Sequence, residues 1–446
     1  MKKAITQIVL LGGGYVSIWA YRSLVKSLRH EIGRGAVRIT VICPEEYHFF
    51  HGWTAESLTC IIQDQNRMSP LLNVLSKARL INGKAEQIDS SGNVLYIRMK
   101  DGTRQAICFD HLLIGIGSYD NEEVEGINEY GYHVKSHEGF LRTKQSIQLI
   151  VRQAAESDPA TAYRLLTFTI AGGGFSGVEL ATNIAEFINI LKRQYTRLLH
   201  IKPVIRLINS GERILTGLGT SLKRMRRYTE KTMNQYGIEI INNKKIIKVT
   251  DHGVFLSDDA FIPCSMVIST IGQSRIILRG TENMSRDNLK RIYTNDYLQV
   301  ENHANIWGGG DACHVKHYKT KEPCPSNALW SIKHGESAGR NIARAIKEQT
   351  LKPFNYKGLG QCASLGIGKG LGELYGIEFT GWFAWIMRWF FFNYFMPSRS
   401  VMLNAVSDWM FLLFFRRRKE LALQKREIKA ATKFKPRKLR ELETIS

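Results

Sequence analysis

The sequence predicts an α/β protein with two Rossmann-like dinucleotide-binding domains, and three observations predict it. An apolar run leads into clustered glycines and a helical pattern at Ile8-Val9-Leu10-Leu11-Gly12-Gly13-Gly14-Tyr15. The same order returns at Phe168-Thr169-Ile170-Ala171-Gly172-Gly173-Gly174-Phe175-Ser176-Gly177. Around each cluster, strand patterns alternate with helical ones, which argues for parallel sheets joined by crossover helices.

The elements follow in order. The apolar run 7–11 reads as a buried strand, with a helix over about 15–30 and a strand over 37–43. Met1-Lys2-Lys3 before so short an apolar run does not make a signal peptide, because the glycines interrupt it. Residues 80–115 alternate as short strands, with turns at Ser91-Gly92-Asn93 and Asp101-Gly102. Ser157-Asp158-Pro159 marks 155–164 as a linker. The second unit then opens with a strand over 165–171, a helix to about residue 198 and a strand over 203–209, and closes with a strand over 265–272. Residues 305–348 read as strand, loop and helix. No solenoid-type repeat is present.

With 446 residues, 44% hydrophobic and 23% charged, the chain can fill two or three cores and is not of disordered composition. Its formal net charge of +22 suits an anionic partner such as a phosphorylated cofactor, an anionic membrane or nucleic acid. The seven cysteines include no CxxC, so a reducing compartment is expected and a disulfide scaffold is not.

The second fingerprint is a complete G-x-G-x-x-G between a strand and a helix. Gly172 permits the tight turn, Gly174 lets a pyrophosphate approach the backbone, and Gly177 lets helix and strand pack closely. The anion would then rest on free N–H groups at a helix N-terminus. In the first fingerprint Gly12 and Gly14 are in place and Ser17 stands for the third glycine. Both units lack the acid expected after their second strand. In the first, Glu45 or Glu46 would have to substitute from the loop after Cys43, or else that loop is a solvated turn. In the second, Asn209 removes a charge that would repel a 2′-phosphate and Arg213 follows, so NADPH stands beside NADH as donor; alternatively, Asn209 bonds the ribose of NADH.

Taken together, the first fingerprint, Glu46-Tyr47-His48-Phe49-Phe50, Leu112–Ser118, Gly172–Ala181, Ile271-Gly272, Asn305-Ile306-Trp307-Gly308-Gly309-Gly310-Asp311-Ala312 and Gly381-Trp382-Phe383-Ala384-Trp385 make the chain similar to the type II NADH:quinone oxidoreductases over nearly its whole length. The resemblance implies an FAD domain from 1–158 and 289–365, an inserted NAD(P) domain at 159–288, and a C-terminal amphipathic helical membrane anchor with a basic tail at 366–446. It implies hydride transfer from NAD(P)H to FAD, then two-electron reduction of a membrane quinone without proton pumping, at the cytoplasmic face of the inner membrane. A peripheral attachment and a homodimer are compatible with it. Gly12, Gly14 and Ser17 would hold the FAD pyrophosphate, with Gly117, Asp311 and Ala328 nearby. Asp311 resembles the aspartate that bonds the ribityl chain. Gly172, Gly174, Gly177, Asn209 and Gly272 would hold the nicotinamide nucleotide. Glu179 resembles the glutamate placed near the nicotinamide, although the helix dipole alone would favour an acid there.

One departure bears on the acceptor. The family's pair of glutamines on the quinone side is replaced by Leu329 and Lys333, leaving Trp330 and His334 as a different acceptor side or as plain packing. Sulfide:quinone oxidoreductases share this fold and use separated cysteines, for which Cys313, Cys324 and Cys362 lie in the right half of the chain. A flavin-bearing membrane scaffold or sensor with little turnover is the non-enzymatic reading. Cys313, His314, His317 and Cys324 match no standard zinc spacing, so no metal is expected.

The aromatic stretches 381–395 and 401–415 fall short of the roughly 20 apolar residues of a spanning helix. Their Trp, Tyr and Phe suit a membrane interface, and the basic run from Arg416 to Arg440 suits an anionic leaflet. Because these aromatics precede the charges in separate apolar blocks, 381–440 reads as a membrane surface and not as a nucleic-acid groove.

Overall fold

A computed structural model describes residues 5–120, 123–218 and 222–415, with side chains to residue 411. The basic tail read from Arg416 onward lies outside the described residues.

Two parallel sheets dominate. The first has seven strands in the order Ile306–Gly308, His111–Ile114, Thr6–Leu11, Val37–Cys43, Arg79–Asp89, Val94–Met99 and Arg104–Cys108. Its first five strands are parallel and its last two run antiparallel. The second has five parallel strands in the order Gly131–Tyr132, Met266–Ser269, Thr167–Ala171, Val204–Ile208 and Ile238–Ile241. In each sheet the fingerprint strand is central and its neighbours leave in opposite directions. That opens a crevice beyond its carboxyl end, where such sheets bind ligands.

The helices Tyr15–Ser27 and Phe175–Leu191 follow the two glycine turns. The latter gives way to single 3-10 turns at Lys192–Gln194 and Thr196–Leu198, short of the continuous helix expected. The helix Ala328–Ile346 crosses Tyr15–Ser27 at close range through Gly335 and Gly339. A Cβ at either would come within 2.2 Å of Val16 O or 2.5 Å of Ala20 O.

Two expectations are corrected. Residues 155–164 are not a linker. The Asp158 carboxylate accepts from the N–H groups of Ala160 and Thr161 at 2.9 and 3.1 Å, and Pro159 starts the helix Pro159–Leu165. Asp then Pro is a turn signal and equally a helix-start signal, and burial of Ala162 decided it. The second domain also begins earlier than residue 159. The strand Gly131–Tyr132 belongs to its sheet, and Phe140, Ile147 and Val151 of the helix His137–Glu156 lie in its core.

The chain ends in a three-stranded antiparallel sheet, Gly360–Ser364, Gly370–Leu374 and Ile377–Gly381, followed by the helices Trp382–Tyr394 and Arg399–Phe415. Trp385, Val401 and Trp409 pack these helices on Trp53, Ile61 and Ile62 of the first domain. Buried Asp408 accepts from Gln63 N, Gln63 Nε2 and Asn66 Nδ2 at 2.9, 3.0 and 2.7 Å, fixing the last helix to the body. Trp382, Phe383, Phe390, Tyr394 and Leu403 face outward, each more than half exposed. Among the described residues no helix is long and apolar enough to cross a membrane.

Candidate active site

The glycine turns are built as close approaches demand. Gly12 and Gly172 take φ of +94° and +109°, a conformation that side chains disfavour. A Cβ on Gly177 would sit 1.8 Å from Gly172 O, so this residue packs the helix onto the turn. Ser17 does the same work differently: its Oγ donates to Leu11 O at 3.0 Å, which accounts for a serine where glycine was expected. Gly14 and Gly174 cap their helices and face open space, with nothing nearer than 4.0 Å to a Cβ on Gly14 and nothing within 4 Å on Gly174.

A cavity of about 500 Å³ runs from the first turn to the second domain. Gly12, Gly14, Glu45, Gly117, Asp311 and Ala328 line one side. Glu179 and Gly272, with Ser176, line the other. Ser17, Glu46, Gly172, Gly174, Gly177 and Asn209 do not line it. Glu46 is exposed and pairs with Lys100 at 2.6 Å, so the solvated-turn reading holds for it and Glu45 alone faces the cavity. Buried Asn209 spends its amide on Gly211 O and Asn242 Oδ1, at 2.9 and 2.8 Å. Arg213 is exposed, 3.7 Å from Glu212.

Asp311 anchors a cluster that sequence reasoning missed. Ser118 Oγ donates to its carboxylate at 2.7 Å, and Lys135 bonds Ser118 and lies 3.8 Å from Asp311. Burial lowers the Lys135 ammonium from its ordinary value, while Asp311 opposes this. Ser118 ends the segment Leu112–Ser118 but carries no signal of this role, and Lys135 belongs to no motif, so only the fold brings them together.

A second cavity of about 380 Å³ adjoins the first and shares Tyr15, Ser176, Ser326, Asn327 and Ala328 with it. Its other walls are mainly apolar, from Phe50, Leu329 and Ile332 and from Met387, Phe391 and Phe392 of the penultimate helix, with Gln361, Glu373 and Arg388 also lining it. Leu329 lines this cavity; Trp330, Lys333 and His334 do not. Trp330 packs against Tyr356 and Phe354. Lys333 pairs with Glu336 at 3.0 Å. His334 is buried, accepts from Gly310 N–H at 3.1 Å, and is pushed by burial down to about 3. The helix turns Trp330 and His334 toward the core, which sequence spacing alone does not decide.

Between the cavities lies a chain of charge. Arg388, from the helix Trp382–Tyr394, contacts Glu56 at 2.5 and 3.2 Å and Glu179 at 3.1 Å. Burial pushes the Glu179 carboxyl up to about 7, against the pull of Arg388. Only an alignment of the C-terminal stretch with the site would have revealed Glu56 and Arg388, because each reads as an isolated charge in an apolar run.

The cysteine expectations resolve simply. Cys313 and Cys324 lie in the first core, where burial pushes each thiol up to about 12. Cys362 alone of the three lines the apolar cavity. His314 is held by Asp287 at 2.9 Å, and among the described residues no group of His, Cys, Asp and Glu is arranged to hold a metal.

The profile of the pyridine nucleotide-disulphide oxidoreductase family matches residues 6–335. A demethylphylloquinone reductase from Synechocystis sp. is 23% identical over 416 residues, spanning 92% of this chain and 97% of that protein. A type II NADH:quinone oxidoreductase from Staphylococcus haemolyticus is 22% identical over 86% of this chain and 93% of its own length. Among solved structures, NDH2 from Plasmodium falciparum in complex with NADH superposes with a TM-score of 0.82 at 14% identity, over 93% of this chain and 99% of that one. The sulfide:quinone oxidoreductase from Aquifex aeolicus gives 0.70 at 17% identity, over 92% and 95%.

Proposed function

Because the chain belongs to the pyridine nucleotide-disulphide oxidoreductase family, we propose that it is an FAD-dependent enzyme that passes two electrons from NAD(P)H to a quinone. The observation that carries this reading is the junction of two unlike cavities, one glycine-lined and polar-ended, the other apolar and walled by the penultimate helix.

The residues fit FAD. The positive φ of Gly12 and the open face of Gly14 leave room for a pyrophosphate at the N-terminus of Tyr15–Ser27. Glu45 is placed for the ribose, and Asp311 for the ribityl hydroxyls. Bound there, FAD supplies acceptance of a hydride and its release as electrons to a second substrate. The protein's part is positional. Gly172 donates its N–H to Ile208 O at 2.9 Å and so shapes the turn, while Gly174 leaves the N-terminus of Phe175–Leu191 open to the nucleotide. Glu179 and Ser176 border the nicotinamide end of the cavity. Asn327 caps Ala328–Ile346 by accepting from Trp330 N–H at 3.1 Å, fixing the helix start that both cavities share. The apolar walls exclude water from the acceptor side.

The outward aromatic face of the last two helices supports peripheral attachment to a membrane, where a lipid quinone would enter the apolar cavity directly. The reading places the protein at the cytoplasmic face, where NAD(P)H is supplied. The free thiols of Cys43, Cys108, Cys313, Cys324 and Cys362 fit a reducing compartment. Sulfide chemistry is disfavoured because Cys313 and Cys324 lie in the core and not at the cavities.

The test is anaerobic rapid mixing of the FAD-loaded protein with NADH and with NADPH, with and without a soluble quinone. Bleaching by a nucleotide and recovery with quinone are expected. No bleaching by either nucleotide would leave the scaffold reading.

A further inference from the structure

Glu56, Arg388 and Glu179 form a buried charge cluster between the cavities. Glu56 and Arg388 have side chains 0% and 2% exposed, whereas one-fifth of Glu179 remains accessible. Arg388 also donates to Gly52 O at 2.9 Å and stacks over Phe392 and Trp53 at 4.3 and 5.4 Å. It is therefore held by the first domain through both terminal guanidinium nitrogens while touching an acid of the second. It belongs to the helix that turns Phe390 and Tyr394 outward. Two carboxyl groups share one guanidinium, and the accessible one is Glu179.

We propose that Arg388 is a positioning residue for Glu179: anchored by Glu56, it orients that carboxyl and favours its charged form at the boundary of the two cavities, so that docking of the C-terminal helix sets the protonation of the acid at the proposed redox site. This rests on the reading of Glu179 as the acid bordering the nicotinamide end. The groups that face Glu179 can be named. Arg388 comes from the penultimate helix and Glu56 from Thr54–Leu58; the Ser364 N–H, which donates to Glu179 at 2.6 Å, and the Cys362 thiol come from Gly360–Ser364. Burial pushes that thiol up to about 12, so it is uncharged near neutrality. Asn183, on the same helix as Glu179, bonds Glu179 O and Ser364 O at 2.8 and 3.1 Å, which fixes the strand that carries the Ser364 amide.

The two partners of Glu179 act with opposite sign, and the test uses this. Arg388→Met removes the cation that favours the carboxylate, so Glu179 should titrate about one to three pH units higher. Glu56→Gln removes a like charge, so Glu179 should titrate lower. Arg388→Lys should return it most of the way to wild type. The readout is infrared difference titration of the protonated-carboxyl band in FAD-loaded protein, assigned by its loss in Glu179→Gln. The pH dependence of flavin reduction by NADH is recorded alongside. Opposite displacements support the inference; displacements in the same direction, or none, overturn it, because a merely structural role predicts no change of sign. If Arg388→Met does not fold, Glu56→Gln and Arg388→Lys carry the comparison. If the band moves as stated but neither nucleotide reduces the flavin at any pH, the coupling of charges stands and the proposed reaction fails.

Discussion

Gly174 and Gly177 stand three residues apart in one motif, yet the structure gives them different work, and alanine at each separates binding from folding. Gly174 has φ −76° and ψ −175°, which alanine adopts freely, and a Cβ there meets nothing within 4 Å. Alanine is a poorer N-cap than glycine by about 0.5–1 kcal/mol, and the stiffer unfolded chain returns about 0.4–1 kcal/mol. The net change in stability for Gly174→Ala should thus lie within about 0.5 kcal/mol of zero. The new methyl projects into the space where a pyrophosphate would approach the helix N-terminus. Losing one hydrogen bond to a charged group costs about 1.5–3 kcal/mol, so NADH should bind about 10- to 100-fold more weakly. Gly177→Ala is the opposite case, because its Cβ would overlap Gly172 O at 1.8 Å, backbone against backbone. The helix must move off the turn, at a cost of several kcal/mol. Thermal melts and NADH titrations of the FAD-loaded proteins measure both. An unchanged Kd in Gly174→Ala, or equal losses of Tm in the two variants, would refute the division of labour.

The remaining predictions concern the donor, the last helix, pH and the outer face. Asn209→Asp should shift the ratio of kcat/KM toward NADH, because the new charge repels a 2′-phosphate without the bulk of glutamate, for which the 2.4 Å from Asn209 Oδ1 to a Cβ on Gly173 leaves little space; an unchanged ratio would show that Asn209 does not meet the ribose. Asp408→Ala strands three donors and should cost about 3–5 kcal/mol, read as lost tryptophan quenching as Trp409 leaves Trp385 and Trp53. His48 and His334 are pushed by burial to about 4 and about 3, below their unfolded value of 6.5. The unfolded chain therefore takes up protons first as pH falls, so the stability these groups confer is complete above about 6.5 and lost toward their folded values, at up to about 1.4 kcal/mol per pH unit for each group. Denaturant melts between pH 7 and 5 should show this slope, and His334→Gln should reduce it. Serine at Trp382, Phe383 and Phe390 should weaken sedimentation with vesicles without altering flavin reduction by NADH; undiminished sedimentation would place the membrane contact elsewhere.

The two sheets and their fingerprints were legible because each follows from local physics. A buried parallel strand is an apolar run, and a glycine turn is visible as glycine. Ser17 was legible as a small residue but not as a hydrogen-bond donor, because its acceptor, Leu11 O, depends on the turn geometry. The linker read at 155–164 failed because Asp158-Pro159 signals both a turn and a helix start, and only packing chooses between them. Trp330 and His334 were ambiguous for a similar reason: helical spacing groups residues on a face without saying which cavity or core that face meets. The contacts of Ser118 with Asp311 and of Glu56 with Arg388 were illegible, since these partners are distant in sequence. Arg388 finds Glu56 across 332 positions.

The C-terminal stretch shows why composition underdetermines function. Aromatic density at 381–395 suggested a membrane interface, and Trp382, Phe383, Phe390 and Tyr394 are exposed. Yet the same helix supplies Met387, Phe391 and Phe392 to the apolar cavity and Arg388 to the charge between the cavities. One helix thus presents a lipid-compatible face, an acceptor wall and a buried cation, because a 3.6-residue period distributes neighbouring side chains to different sides. A membrane anchor that only tethered the protein could be exchanged for any amphipathic helix of similar charge. Here such an exchange would remove the partner of Glu56 and Glu179 and leave buried carboxylates without a cation, which is costly. On the proposed reading, attachment and chemistry therefore share one helix, which cannot be replaced without removing the buried partner of Glu56 and Glu179.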